Sequence, residues 1–144
     1  MKQHNKIIVA LGTNFEQKKN AETAESILKT IIKDSYVSTY LWTKPINIEN
    51  SDTFLNFLIF GKTHYGFSQL NKAFKHLEKR CGRNRSDELK GIIKLDIDIL
   101  QYGNEIYHIE DWDRDYVKEL LLEDPYTDEE DPYTDEKENT DSYK

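Results

Sequence analysis

The sequence predicts an α+β fold, and three observations carry that prediction. Two stretches with apolar residues at helical spacing are interleaved with runs rich in β-branched and aromatic residues. The chain is 144 residues long, enough for one domain with an ordinary core. The charge is concentrated at one end: Glu123–Lys144 holds ten acids and two lysines, a formal −8 against −7 for the whole chain, so residues 1–122 sum to +1. A nearly neutral body offers no basic groove for nucleic acid and no basic face for a membrane.

Ile7–Leu11 is a continuous apolar run stopped by Gly12-Thr13-Asn14, which reads as a buried strand ending in a turn. Ala24, Ile27, Leu28, Ile31 and Ile32 share one helical face, predicting a helix over Asn20–Lys33. Ser35–Trp42 reads as one strand, Thr43–Thr53 with Pro45 as a loop, and Phe54–Thr63 as a further strand. Ser68 is the expected cap of a second helix, in which Leu70, Ala73, Phe74, Leu77 and Cys81 share a face. That face makes Cys81 a core thiol rather than a nucleophile.

Gly82–Gly91 is polar and bounded by glycines, hence a loop. Lys94–Tyr102 alternates as a strand, and Tyr116, Val117, Leu120 and Leu121 form a short last helix. The order β-α-β-β-α-β-α folds most simply as a ferredoxin-like antiparallel sheet with both long helices on one face. The other face then needs cover from loops or a ligand.

The expected domain is residues 1–122. Glu123–Lys144 holds DPYTDEE at 124–130 and DPYTDEK at 131–137, and is too acidic and too poor in aliphatic residues to build a core, so a disordered tail is expected. A single cysteine excludes an intramolecular disulfide and a thiolate zinc cluster. No stretch resembles a signal peptide or a membrane span, and the cytoplasm is the expected location.

Leu95-Asp96-Ile97-Asp98-Ile99 is the sharpest chemical feature. On a strand, Asp96 and Asp98 point to the same face, about 7 Å apart along the backbone. Carboxylates so placed suit one or two Mg²⁺ ions that also bind phosphate, and equally suit a solvated sheet face. Arg83 and Arg85, in the glycine-bounded stretch, carry the guanidinium geometry that matches phosphate oxygens. Phe54 and Asn56 share a strand face, and Arg114 lies beside Tyr116; aromatics with an amide suit a flat heterocycle. His4, His64, His76 and His108 show no metal-ligand spacing, and there is no nucleophile elbow or Walker loop.

Taken in order, A-L-G-T-N, T-K-P, F-L-N-F, E-x-x-x-x-R-x-R and L-D-I-D-I-L-x-Y-G resemble the 6-hydroxymethyl-7,8-dihydropterin pyrophosphokinases, over roughly Ile7–Leu121. The resemblance implies pyrophosphoryl transfer from ATP to a reduced pterin in folate biosynthesis, using two Mg²⁺ ions; a monomer is the expected state. By position it implies Asp96 and Asp98 for the metal, and Phe54 and Tyr116 as the pterin sandwich. Asn56 and Thr43 fall on the pterin side, Glu78, Arg83, Arg85 and His108 on the nucleotide side, and Arg114 near the phosphates. The family's loop tryptophan and arginine are here Lys90 and Ile93, and the segment after Gly103 is short. That loss of a phosphate contact leaves a diverged pterin- or nucleotide-binding module as the alternative to an active enzyme. A protein-interaction role for the acidic tail is a third reading.

Overall fold

The computed structural model describes residues 4–44 and 53–127. Most of the Pro45 loop and the second copy of the acidic repeat lie outside the described residues. Strand β1 (Asn5–Thr13) is followed by helix α1 (Gln17–Ile31), strands β2 (Lys33–Val37), β3 (Leu41–Thr43) and β4 (Phe54–Thr63), and helix α2 (Phe67–Arg80). Then come helix α3 (Arg85–Leu89), strands β5 (Asp96–Tyr102) and β6 (Glu105–Ile106), a 3-10 turn over Ile109–Asp113, and helix α4 (Asp115–Leu121). The strands form one antiparallel sheet in the order β2-β4-β1-β5-β6, with β3 also paired to β4. The α+β class and the ferredoxin-like antiparallel sheet are as the sequence predicts.

Several boundaries differ. The first helix starts three residues before the expected Asn20. The expected strand Ser35–Trp42 is two strands, each paired to a different stretch of β4. Ser68 lies inside α2 instead of capping it; Gly66 flanks the helix and no side chain caps it. The glycine-bounded stretch is not all loop, because Asn84 accepts the Asp87 backbone N–H at 2.8 Å and so caps α3. The expected alternation of Lys94–Tyr102 breaks within β5. Ile99 pairs with Val9 and Gln101 with Ile8, so Leu100 is an extra residue in a β-bulge. Tyr102 then turns to the main core, where its hydroxyl donates to the Tyr65 carbonyl at 2.6 Å.

The two sheet faces have different fates. One is covered by α1 and α2, and buries Ile7, Val9 and Leu11 of β1 with Leu28, Phe57, Phe74, Ile97 and Ile99. Each such side chain contributes about 1.5–3 kcal/mol by leaving water. Cys81 packs at the edge of this cluster, with its thiol pushed up by burial, as befits an inert core thiol. The opposite face is divided. At one end Ile8, Leu58, Phe60 and Leu100 are covered by Val117 and Leu120 of α4. The cover expected from loops or a ligand is thus supplied in part by α4, and the remaining half is left open. Among the described residues no helix is long and apolar enough to cross a membrane.

The packed body also extends past the expected boundary at Leu122. Asp124 is buried, and Tyr126 packs against the cluster under α4.

Candidate active site

The uncovered half of the sheet is the floor of a cleft of about 250 Å³. Register decides who stands on it. Gly12 pairs with Asn56 of β4 on one side and Asp96 of β5 on the other, and Ala10 pairs with Asp98. Asn56 of β4 and Asp96 and Asp98 of β5 therefore project to the same face from the two strands that flank β1. Gly12 and Ala10 leave the centre of that floor low. A Cβ on Gly12 would lie 2.9 Å from Asn56 Oδ1, so the glycine makes room for the amide.

Around this floor the cleft is lined by Thr43, Lys44 and Phe54 from the β3–β4 side and by Asp111, Arg114 and Tyr116 from the 3-10 turn and α4. Asn56 is only 5% exposed and is held by its neighbour: its Nδ2 donates to Thr43 Oγ1 at 2.6 Å. Of the sequence-predicted residues, Thr43, Phe54, Asn56, Asp96, Asp98, Arg114 and Tyr116 meet in this one cleft. Burial pushes the Tyr116 phenol up, and the adjacent Arg114 partly offsets that.

The acidic pair is not the solvated pair of a plain sheet face. Burial and the neighbouring Asp96 push the Asp98 carboxyl up to about 6, while Lys75 and His108 pull it down. Lys75 Nζ lies 3.5 Å and His108 Nε2 3.6 Å from Asp98 Oδ1. Asp96 Oδ1 receives Arg83 Nη1 at 2.8 Å. Two crowded carboxylates with cations at their flanks are a donor set that fits a divalent metal ion.

The remaining predicted residues stand behind this pair. The Glu78 carboxylate is buried and accepts the Ile97 backbone N–H at 2.7 Å, Lys75 Nζ at 3.1 Å and an ion pair from Arg83 at 3.3 Å. Arg83 also donates to Glu88 at 2.6 Å and to the Leu95 carbonyl at 3.2 Å. Those acidic partners raise its pKa despite the opposing effect of burial. Glu78 and Arg83 thus brace β5. Arg85 is exposed at the start of α3 and does not line the cleft.

Three features escaped the sequence. Asp98, His108 and Asp111 bring ligand atoms within 4.8 Å of one another, a grouping across a strand, a turn and a 3-10 helix that no linear histidine spacing signals. His108 reaches it in a left-handed backbone conformation (φ 54°). Lys75 reaches Asp98 and the Ile97 carbonyl from α2, where helical spacing marks only a surface lysine. Asn14 is an anchor: its side chain donates to the Gly91 carbonyl at 2.7 Å and accepts the Ile93 N–H at 2.7 Å, while its own N–H donates to the Ile93 carbonyl at 3.0 Å. These bonds fix Ile93 in the cleft wall. Lys90 is exposed and does not line the cleft.

A family model described as 7,8-dihydro-6-hydroxymethylpterin-pyrophosphokinase matches residues 8–124. The folate synthesis bifunctional protein of Arabidopsis thaliana is 29% identical over 127 residues, covering 81% of this chain and 26% of that protein. The chain therefore spans about a quarter of the length of that relative.

Proposed function

The chain belongs to the 7,8-dihydro-6-hydroxymethylpterin-pyrophosphokinase family, and from that membership we propose that it transfers pyrophosphate from ATP to 6-hydroxymethyl-7,8-dihydropterin. The observation that carries this reading is the single cleft in which Thr43, Phe54, Asn56 and Tyr116 face Asp96 and Asp98. An aromatic-lined slot with a few placed polar groups suits a pterin, and a carboxylate pair beside it suits metal-bound phosphates.

Phe54 and Tyr116 hold the pterin ring, and Asn56, oriented by Thr43, hydrogen-bonds its edge. The hydroxymethyl oxygen attacks the β-phosphorus in line. The new bond is oxygen to β-phosphorus, the bond that breaks joins the β-phosphorus to the bridging oxygen, AMP leaves with that oxygen, and the hydroxyl proton passes to solvent. Asp96 and Asp98 would hold two magnesium ions, whose chemistry is to neutralise charge on the phosphates. Arg114 faces the same cleft and stabilises the phosphates, and Arg83 keeps Asp96 aimed. Glu78 supports the nucleotide side through the backbone of β5 and through Lys75 and Arg83. His108 sits against Asp98 on that side, and Arg85, assigned to the phosphates by the resemblance, stands exposed at the start of α3, outside the cleft. The rate comes chiefly from positioning and electrostatics. The reading needs no membrane, nucleic acid or second chain, and its setting is a cytoplasmic monomer whose catalytic unit ends with α4.

The test is AMP release from ATP with magnesium and the reduced pterin, with turnover expected only when all three are present. One observation favours a second reading, a binding module: an apolar Ile93 is pinned in the cleft wall where the family resemblance calls for arginine. Pterin binding without AMP release would select it.

A further inference from the structure

The C-terminal sequence Glu-Asp-Pro-Tyr-Thr-Asp-Glu at 123–129 recurs unchanged at 130–136. The first copy, as far as Thr127, is docked on the body. Glu123 Oε1 accepts the Thr39 backbone N–H at 2.8 Å. The Asp124 carboxylate, 2% exposed, lies 2.6 Å from Lys6 Nζ and accepts the Tyr126 N–H at 2.9 Å. The Tyr126 hydroxyl donates to the Asp34 carbonyl, and its ring lies 5.3 Å from the Lys62 ammonium. The Thr127 hydroxyl donates to the Asp124 carbonyl at 3.1 Å.

Each of these groups has a counterpart seven residues on, in Glu130, Asp131, Tyr133 and Thr134. We propose that the surface formed by Lys6, Asp34, Thr39 and Lys62 is a receptor for this E-D-P-Y-T sequence, and that the second copy takes it in place of the first within the same molecule. The chemistry of recognition is identical for both copies, so they differ only in chain connection. The first copy follows α4 after a single residue, Leu122. Seating the second requires residues 123–129 to loop out. That segment is acidic and polar, and the entropy of closing a loop grows slowly with its length. A tethered copy also acts at an effective concentration in the millimolar range, well above a second molecule in dilute solution. The receptor therefore gives the strap two registers, the first of which ties α4 directly to the sheet.

The experiment compares thermal unfolding of the full chain with Asp124→Asn, Asp131→Asn and the double variant. Asp131→Asn is expected to leave Tm unchanged. Asp124→Asn should lower it by about 2 °C and the double variant by about 6 °C, a difference of roughly 1 kcal/mol for a domain of this size. Equal losses in Asp124→Asn and the double variant overturn the proposal. Zero-length carbodiimide coupling supplies a readout independent of stability: in Asp124→Asn, Lys6 should couple to Asp131. Absence of that link overturns the proposal. A link formed only between differently isotope-labelled chains also overturns it, and assigns the receptor to a second molecule.

Discussion

On the proposed reading, the pterin side of the cleft and the nucleotide side behind its acidic pair are built on opposite plans. On the pterin side, a short direct bond fixes each polar group: Thr43 holds Asn56, and Gly12 leaves the space that the amide occupies. On the nucleotide side, Glu78, Lys75, Arg83, Glu88 and Asp96 form a connected ion-pair network whose cations already have protein partners. A hydrogen-bonded amide on a strand is pre-organised, whereas a guanidinium held by three carboxylates must give up some of that pairing to engage phosphate. Affinity on the first side is set by fit, and on the second by exchange of ion pairs.

The largest expected effect strikes the hinge between the two sides. Asp98→Asn should lower turnover by about three orders of magnitude or more, because several kcal/mol of charge stabilisation depend on the metal. Pterin affinity and the circular dichroism spectrum should stay close to wild type. Undiminished steady-state turnover would remove the metal assignment. Next, Asn56→Ala should weaken pterin binding by about 10–100-fold while ATP affinity stays within about twofold, corresponding to lost hydrogen bonds in a buried slot. Calorimetry with each ligand measures the split, and an equal loss for both ligands would break the contrast between the two sides.

A gain of function probes the other side. Ile93→Arg should tighten ATP or raise turnover by about tenfold, the low end for one charge-assisted phosphate contact. The effect is placed there because Asn14 pins the backbone at residue 93, which limits how far the new side chain swings. Unchanged kinetics alongside strong wild-type activity would point to another cation on the wall, and Lys44 is the one that lines it.

The smallest effect is on stability against pH. Asp98 titrates at about 6 in the folded chain against 3.8 for a free carboxyl, so the fold holds a proton that the unfolded chain has released. The corresponding stability is fully present below about pH 3.8 and is lost as pH rises through 6. Metal-free protein should therefore lose Tm relative to Asp98→Asn between these limits. Magnesium should restore Tm at neutral pH, where the carboxylate is free to bind it.

Local pattern carried much of this molecule. Phe54–Thr63 is bounded in the sequence as it is in the sheet, and Asp96-Ile97-Asp98 declares its two faces by period alone. The predicted site residues that meet in the cleft lie on regular strands or at the start of α4. What stayed hidden depended on contacts distant in sequence. The break between β2 and β3 follows from each pairing with a different part of β4. The roles of Asp111, Lys75 and Asn14 exist only once α2, the 3-10 turn and the end of β1 converge on β5. α3 was hidden for another reason: five polar-rich residues between glycines carry no apolar period, and only the Asn84 cap marks them as helical. The early residues of the acidic segment look disordered by composition, because one buried carboxylate and one tyrosine suffice to dock them.

The bulge at Leu100 has a consequence for how the two layers came to be joined. Toward β1 the hydrogen-bond ladder steps from Ile99 to Gln101 past it, while on the other edge the Leu100 carbonyl accepts the Tyr107 N–H at 2.9 Å. Deletion of Leu100 would leave the β1–β5 register intact but would remove that bond and part of the platform on which Val117 and Leu120 sit. A residue that helps fasten α4, and with it Tyr116, is thus one that the β1–β5 pairing does not use. Attachment of α4 and the β1–β5 register that sets Asp96 and Asp98 are separable traits, and a one-residue change in chain length can alter the first without disturbing the second.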